Sequence, residues 1–300
     1  MSTEPPPRGL LIACLACVYI VWGSVYLAMQ VAIEDMGPLT MGGLRFLFAG
    51  VALYAIAIRK SKVRPTWRDW RSVVPIGLTL FLGGNGFIAI AVEKTAAGTI
   101  PSGTVGVVAA MESLWIAILG VFFGVRPTRR EILALVSGFI GIVILTRGPA
   151  AGGDPLHFVI LLLSPLLWAL GSLFARGLKS PAANDPLLMP AMQMITGGIV
   201  MLIIAPLHGE HLPTHVSLWS GLAFAYCVVF GSLITFTAYS WLLRNTRPII
   251  ATSYAFVNPT IAVLLGAAIH GEALGVNVLI ANAMMVIAIW LAVSRTKTTR

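Results

Sequence analysis

The chain has 300 residues, of which 58% are hydrophobic and only 10% are charged, and its mean hydropathy is +0.90. This composition excludes an ordinary soluble globular protein, because so apolar a surface would aggregate in water. The formal net charge is +9, but no nucleic-acid-binding motif accompanies it. The basic residues instead indicate how the chain is oriented in a membrane.

Ten apolar stretches follow one another along the chain, each about as long as the ~20 residues that a helix needs to cross a bilayer. The first half contains predicted spans at 10–33, 39–58, 72–92, 99–124 and 132–146. The second half contains predicted spans at 157–175, 187–206, 216–243, 249–269 and 276–293. The first is interpreted as a retained helix, since it is too long for a signal peptide and lacks a small-residue cleavage site. The sequence therefore predicts an all-α integral membrane protein of ten transmembrane helices.

The basic residues predict how these spans are oriented. With the N-terminus in the cytoplasm, all but three of the 20 Lys and Arg residues fall on the cytoplasmic side; the exceptions are Arg45, Lys94 and Arg147. This distribution follows the positive-inside rule and places both termini in the cytoplasm. Residues 1–9 are expected to be a disordered lead-in, and residues 294–300 a basic tail.

The two halves of the chain, 10–147 and 157–293, show signs of an internal repeat. Six residues of the first half recur in the second exactly 148 positions later: Gly23, Ser24, Pro38, Leu39, Met41 and Gly50 match Gly171, Ser172, Pro186, Leu187, Met189 and Gly198. Each half has five spans, and an odd number gives the second half the opposite orientation in the membrane. An inverted repeat of this kind encloses a central site that can open alternately to either side.

Polar residues inside the spans are expected to face one another or a cavity, because a polar group in lipid without a partner costs several kcal/mol. Tyr19, Trp22, Tyr26 and Gln30 recur at steps of three and four and so share one helix face. This stripe is the best candidate for a cavity wall. The alternatives are ordinary helix packing or, for Tyr19 and Trp22, a place in an interfacial aromatic belt.

Arg45 and Glu112 are charges within spans, where a charge costs ~3 kcal/mol on insertion scales and points to function. Several roles are open: pairing with each other, binding the carboxylate and ammonium of a zwitterion, proton coupling at Glu112, or structural cross-linking of helices. Seven further side chains complete the predicted substrate-binding set: Asn85, Trp115, Trp168, Gln193, Tyr239, Tyr254 and Asn258.

Two prolines within spans, Pro165 and Pro259, are predicted hinges, because proline removes a backbone donor and bends a helix. An inert kink is the alternative, since prolines are common in membrane helices. The loop residues His208, Glu210, His211 and His215 match no specific metal-site spacing. No metal and no cofactor are therefore expected.

Three segments carry a resemblance to a known family: VWGSVYLAMQVA, GGLRFLFAGVAL and NPTIAVLLGAAIHGEAL. They resemble the drug/metabolite transporter superfamily, in its ten-helix branch with two EamA-type repeats. The chain is most similar to bacterial inner-membrane exporters of amino acids, including aromatic ones. The second half keeps the family pattern at Pro259 and Gly271-Glu272, whereas Ser113 and Val125 stand near those places in the first half, so the halves are expected to be functionally unequal.

The resemblance implies a secondary transporter of the bacterial cytoplasmic (inner) membrane that exports neutral and aromatic amino acids by alternating access. A multidrug or quaternary-ammonium exporter, a nucleobase-like metabolite exporter and a channel-like facilitator are the alternatives. An enzyme is not expected, and no phosphate-binding loop for ATP is present. The expected partners are a small-molecule substrate and the lipid bilayer, without nucleic acid, and the expected state is a monomer, with an oligomer as the alternative.

Overall fold

The structure is a computed structural model that describes residues 7–91, 93, 102–146, 154–258, 260–261 and 276–293. This described part of the chain is helical and contains no strand. Within it, six helices are long and apolar enough to cross a membrane: Arg8–Ile33, Pro38–Lys60, Trp67–Ala91, Pro155–Gly177, Leu188–His208 and Leu218–Asn245.

The helices are numbered here in chain order. The first five are α1 (Arg8–Ile33), α2 (Pro38–Lys60), α3 (Trp67–Ala91), α4 (Ser102–Gly120) and α5 (Arg129–Thr146). The next three are α6 (Pro155–Gly177), α7 (Leu188–Ile204) and α8 (Leu218–Asn245). Helix α9 begins at Pro248–Ala251 and is helical again over 254–258, and α10 is Val276–Val293.

Local hydrogen bonds move several helix ends away from the boundaries that hydropathy predicts. Helix α3 begins five residues before its predicted span because Thr66 and Asp69 form a capping box, with the Asp69 carboxylate accepting from the Thr66 amide at 2.7 Å. Helix α4 ends at Gly120 rather than at 124, and Gly124 closes the following turn at a φ of +77°. Helix α6 begins early because Asp154 caps the Leu156 amide at 2.7 Å.

Helix α9, within the predicted ninth span, is interrupted at Thr252 and Ser253. Both hydroxyls donate back to the preceding turn: Thr252 Oγ1 to the Pro248 carbonyl at 3.1 Å, and Ser253 Oγ to the Ile250 carbonyl at 2.7 Å. Across the break the amides of Ser253, Ala255 and Phe256 donate to carbonyls three residues earlier rather than four, so the backbone is locally tighter than an α-helix.

Helices α3 and α8 each contain a wider π-helical segment, at Leu78–Gly86 and Cys227–Ile234. In each segment a backbone carbonyl accepts a hydrogen bond from another helix. Ser164 Oγ of α6 donates to the Gly84 carbonyl at 2.8 Å, and Trp22 Nε1 of α1 donates to the Gly231 carbonyl at 2.9 Å. Each irregular segment thus contributes a hydrogen bond to a helix contact, that of α3 with α6 and that of α8 with α1.

The most extensive helix contacts run along α2 with α7 and along α5 with α10. At the first of these the two backbones touch. A Cβ added at Gly198 of α7 would lie 2.7 Å from the Leu47 amide nitrogen and 2.8 Å from the Gly43 carbonyl oxygen, both in α2. Small residues permit this approach, as is usual where membrane helices pack closely.

At the opposite end of α2 from its basic terminus, loop carboxylates hold neighbouring segments together. The Glu210 carboxylate accepts from the amides of Leu39 at 2.9 Å and Thr40 at 2.7 Å, which caps the start of α2. Asp35 accepts from the Ser217 amide at 2.8 Å. Hydrogen bonds from the Ser217 hydroxyl and amide lower the pKa of Asp35, so its charged form is the one that binds this loop.

We expect Gly198→Ala to destabilise the protein by about 1–3 kcal/mol, because the added methyl would overlap backbone atoms that cannot rotate away. Thermal unfolding of the detergent-purified protein measures the change. Gly177→Ala is the matched control, since a Cβ at Gly177 meets nothing within 4 Å. Equal unfolding temperatures for the two variants would contradict the close α2–α7 contact.

Candidate substrate-binding site

Four aromatic side chains from four helices meet inside the bundle: Trp22 of α1, Trp168 of α6, Tyr239 of α8 and Tyr254 of α9. We call them the aromatic cluster. The Trp22 ring centroid lies 5.7 Å from that of Trp168, 5.2 Å from Tyr239 and 4.7 Å from Tyr254. Edge-to-face and tilted arrangements of this kind are the favourable ones for aromatic pairs. Trp22 is therefore the centre of the cluster.

The polar groups of three of these rings form hydrogen bonds with neighbouring helices. The hydroxyl of Tyr239 lies 2.6 Å from Ser172 Oγ and accepts from Trp168 Nε1 at 3.2 Å. The indole N–H of Trp22 is bound to the Gly231 carbonyl, as described above. Tyr239 is completely buried. The cluster is thus fixed by hydrogen bonds at its rim and by ring contacts at its centre.

Glu112 of α4 brings a buried carboxylate to the aromatic cluster. Its Oε2 accepts from the Tyr254 hydroxyl at 2.6 Å, and the residue is only 6% exposed. Its Oε1 is buried and accepts no hydrogen bond from the described part of the chain. A carboxylate oxygen in this position can accept from a ligand donor, and an ammonium group is the donor that it would bind most strongly.

Arg45 has separate partners from Glu112. Its Nε donates to Ser232 Oγ at 2.7 Å, and its guanidinium lies 4.8 Å from the Phe46 ring centroid. The side chain also packs against Gly231, whose carbonyl binds Trp22. Arg45 is therefore next to the aromatic cluster, joined to it through the π-helical segment of α8.

Tyr19 and Asn258 connect α1 with α9 beside the aromatic cluster. The Tyr19 hydroxyl lies 2.7 Å from Ser253 Oγ. The Asn258 amide, oriented by its hydrogen bonds, donates to the carbonyls of Tyr19 and Tyr254, both at 3.2 Å. These contacts hold the interrupted helix α9 against α1.

The remaining predicted site residues are distributed more widely. Gln193 of α7 is buried and lines a narrow cleft that Tyr239 also lines. Trp115 packs beside the buried Ala169 and Leu173, and Asn85 donates within its own helix to the Leu80 carbonyl at 3.4 Å. Pro165 is buried in α6. The side chains of Tyr26 and Gln30 and the whole of Pro259 lie outside the described residues.

Serine hydroxyls are the part of this site that hydropathy and spacing did not single out. Ser172 binds Tyr239, Ser253 binds Tyr19 and Ser232 binds Arg45. The sequence repeat carried one signal for these serines, because Ser172 stands 148 residues after Ser24. The Ser24 hydroxyl likewise lies 2.6 Å from a tyrosine hydroxyl, that of Tyr226. A serine that recurs in both halves marked a polar contact within the bundle.

Comparison with known proteins places this geometry in a family. A model of the EamA-like transporter family matches residues 7–147 and again 156–294. The uncharacterized inner membrane transporter YedA of Escherichia coli K12 is 35% identical over 264 residues, which cover 88% of this chain and 84% of YedA. Protein PecM of Dickeya dadantii is 28% identical, covering 82% of this chain and 80% of PecM. One solved crystal structure shares the fold, with a TM-score of 0.76 and 18% identity over 96% of this chain and 97% of that chain.

We expect Tyr254→Phe to lower the free energy of unfolding by about 1–3 kcal/mol, because it removes the hydroxyl that binds the buried Glu112 carboxylate. A double-mutant cycle with Glu112→Leu, measured by unfolding in detergent, isolates this contact and should give a coupling of about 1 kcal/mol or more. Tyr54→Phe, which removes a hydroxyl from a ring packed against Trp70, is the control. Additive effects of Tyr254→Phe and Glu112→Leu would contradict the hydrogen bond.

Proposed function

Because the chain belongs to the EamA-like transporter family and is a multi-pass protein of the inner membrane, we propose that it is a secondary carrier that exports amino acids with neutral or aromatic side chains, or closely related metabolites. One observation carries this proposal: the aromatic cluster contacts a buried carboxylate that has an oxygen free to accept from a ligand. No catalytic step is proposed for this site.

The chemistry of the aromatic cluster suits an amphipathic substrate. An apolar or aromatic side chain that enters between the rings replaces ring–ring contacts with similar ones, so its binding requires little loss of packing energy. The free Oε1 of Glu112 is a partner for the ammonium group of an amino acid. Aromatic surface and carboxylate together favour a substrate that has an apolar body and a charged nitrogen.

We further propose that ten helices form two inverted repeats of five, 10–147 and 157–293, with both termini in the cytoplasm. The two successive family matches support this division. The π-helical segments support it as well, because Gly83 and Gly231 lie 148 residues apart, the offset of the sequence repeat. Helix contacts follow the same relation, since α1 packs against α8 as α6 packs against α3.

In this architecture the site lies between the repeats. Trp22 and Glu112 come from the first repeat, and Trp168, Tyr239 and Tyr254 come from the second. A site composed in this way changes shape when one repeat moves against the other, as alternating access requires. Pro165 and Pro259 remain the proposed hinges.

A quaternary-ammonium or multidrug exporter is the second candidate. Aromatic faces attract organic cations, and a buried carboxylate adds to this attraction. The same cluster therefore suits a hydrophobic cation without a carboxylate. A nucleobase-like substrate or a channel-like facilitator is tested by the same transport assays.

We expect proteoliposomes containing the protein to show saturable counterflow of labelled phenylalanine, and Trp22→Ala to reduce it by about tenfold or more, the effect of losing about 1.4 kcal/mol of binding. The reason is that Trp22 contacts all three other rings of the cluster. Trp219→Ala is the matched control, because that indole is 73% exposed.

The outcome of this assay separates the candidates. Flux of a quaternary-ammonium drug without phenylalanine counterflow would favour the cation exporter. Flux that does not saturate and shows no counterflow would indicate a channel. Equal counterflow in Trp22→Ala and the wild type would place the site elsewhere.

We expect Glu112→Gln to abolish stimulation of transport by an imposed pH gradient while leaving counterflow measurable, because glutamine can accept a hydrogen bond but cannot carry a proton. Labelled-substrate flux with and without the gradient measures this. Glu34→Gln, at an exposed position after α1, is the control. Unchanged pH dependence in Glu112→Gln would show that Glu112 does not couple protons.

A further inference from the structure

Two arginines at the predicted cytoplasmic end of the bundle bind each other's helix. Arg176, at the end of α6, donates from Nη1 to the carbonyls of Leu243 and Thr246 at the end of α8, the second at 2.6 Å. Arg244, at the end of α8, donates to the carbonyls of Ala175 at 3.2 Å and Leu178 at 3.4 Å at the end of α6. We call this reciprocal arrangement the arginine clamp. Each guanidinium satisfies C-terminal carbonyls and interacts favourably with the dipole of the other helix.

The arginine clamp contains two positive charges without a carboxylate partner in the described part of the chain. All of the oxygens that accept from Arg176 and Arg244 are neutral, including the third acceptor of Arg244, Asn184 Oδ1 at 2.8 Å. The neighbouring acid, Asp185, accepts instead from the amides of Leu187 and Leu188. Half-buried cations that lack a counter-charge are available to an anion.

A third arginine at the same end of the bundle has a carboxylate partner that balances its charge. Arg247 forms an ion pair with Glu131, to which Nη2 also donates at 2.8 Å. Glu131 in turn caps the Thr128 amide at 2.7 Å. Arg247 therefore has a structural role, whereas the arginine clamp leaves its charge for another partner.

Arg244 of the arginine clamp and Tyr239 of the aromatic cluster line the same narrow cleft. Gln193 and Ser240 also line it, and its other lining residues are apolar. Gln193 is only 1% exposed, and its Nε2 has no hydrogen-bond partner in the described part of the chain. None of the residues that line the cleft is acidic. A buried amide, a hydroxyl and a guanidinium thus line one small space, and each of these groups can donate a hydrogen bond.

We propose that Gln193, Ser240 and Arg244 form an anion subsite that binds the carboxylate of the substrate on its way from the cytoplasm to the aromatic cluster. This proposal rests on the carrier function proposed above and specifies the substrate class, an amphipathic molecule that bears a carboxylate. The cleft has no room for a water molecule in this structure, so the ligand enters only after the ends of α6 and α8 separate. Separation frees the donors of Arg244 from the carbonyls of α6, and the carboxylate then accepts from them.

The repeat adds an independent reason to place a polar recognition group here. Gln193 stands 148 residues after Arg45, at the equivalent position of the second repeat. Arg45 adjoins the aromatic cluster through α8, and Gln193 adjoins it through Tyr239. In an inverted repeat, equivalent positions lie on opposite sides of the central site. The subsite is therefore the inward-facing counterpart of the Arg45 region, with Arg244 supplying the positive charge that glutamine lacks.

The test uses two probes of similar size, 3-phenylpropanoate, which has a carboxylate and no amine, and phenethylamine, which has an amine and no carboxylate. Binding to the full-length protein in phosphatidylcholine nanodiscs is measured by ligand-induced thermal stabilisation. We expect 3-phenylpropanoate to bind to the wild type, and Arg244→Gln and Gln193→Leu each to weaken its binding by about tenfold. Binding of phenethylamine, whose ammonium group is a partner for Glu112, should change little in both variants.

A second variant and a control separate loss of the subsite from loss of folding. Gln193→Leu leaves the arginine clamp intact, so it reports on the subsite even if Arg244→Gln does not fold. Arg64→Gln is the matched control, because Arg64 is exposed at the same predicted side and donates to the nearby carbonyls of Ser61 and Val63. Unchanged binding of 3-phenylpropanoate in Gln193→Leu, an equal loss of both probes in that variant, or no binding of 3-phenylpropanoate to the wild type would overturn the subsite.

A lipid phosphate has the same recognition chemistry as a carboxylate and is distinguished by a second set of nanodiscs that contain phosphatidylglycerol. Stabilisation by this lipid that depends on Arg244, without Arg244-dependent binding of 3-phenylpropanoate, would assign the cations to lipid and overturn the proposal. The proposed function fails separately. Arg244-dependent binding of 3-phenylpropanoate without phenylalanine counterflow rejects the amino-acid carrier and keeps the subsite. Counterflow with unchanged binding of 3-phenylpropanoate in the variants does the reverse.

Discussion

The lack of hydrogen-bond partners in hydrocarbon is the constraint on which the rest of this structure depends. Within a regular helix the backbone satisfies itself, so its carbonyls are free to accept from another helix chiefly where that pattern is interrupted or ends. Ser164 and Trp22 donate to carbonyls in the two π-helical segments, and Arg176 and Arg244 donate to carbonyls at two helix ends. These contacts join helices at irregular backbone, in addition to side-chain pairs such as Ser24–Tyr226 and Ser172–Tyr239.

The hydrogen bond from Trp22 to α8 connects the aromatic cluster with the movement that transport requires. Trp22 is both the central ring of the cluster and the donor to the π-helical segment of α8, which also carries the Arg45–Ser232 contact. A substrate that displaces the Trp22 ring must therefore disturb the junction of α1 with α8. In the proposed repeat that junction corresponds to the one between α6 and α3, which Ser164 makes. In the proposed carrier, one side chain therefore couples occupancy of the site with the packing of the two repeats.

Hydropathy correctly placed the six long apolar helices of the described residues, because membrane insertion selects for long apolar segments. It gave no sign of the interruption of α9 at Thr252 and Ser253. Tyr19 and Trp22, which share a face of α1, both contact other helices, but nothing in their spacing could show that Trp22 meets rings more than 140 residues away. Trp115 and Asn85 carry the same residue-type signal as Trp168 and Asn258 but have different neighbours, because the direction of a side chain depends on helix rotation.

The partners of the basic residues, like the directions of side chains, cannot be predicted from the sequence. In the sequence, Arg176, Arg244 and Arg247 count equally as cytoplasmic charges, yet only Arg247 has a carboxylate in the described part of the chain. The bonds of the arginine clamp are made to neutral carbonyls, so they can be exchanged for a stronger ion pair with an incoming carboxylate. A ligand shifts a conformational equilibrium only by binding one state better than the other. In the proposed subsite the substrate binds the separated state of α6 and α8 better than the closed one. The reason is that the donors that hold the two helices together are the donors that the substrate needs.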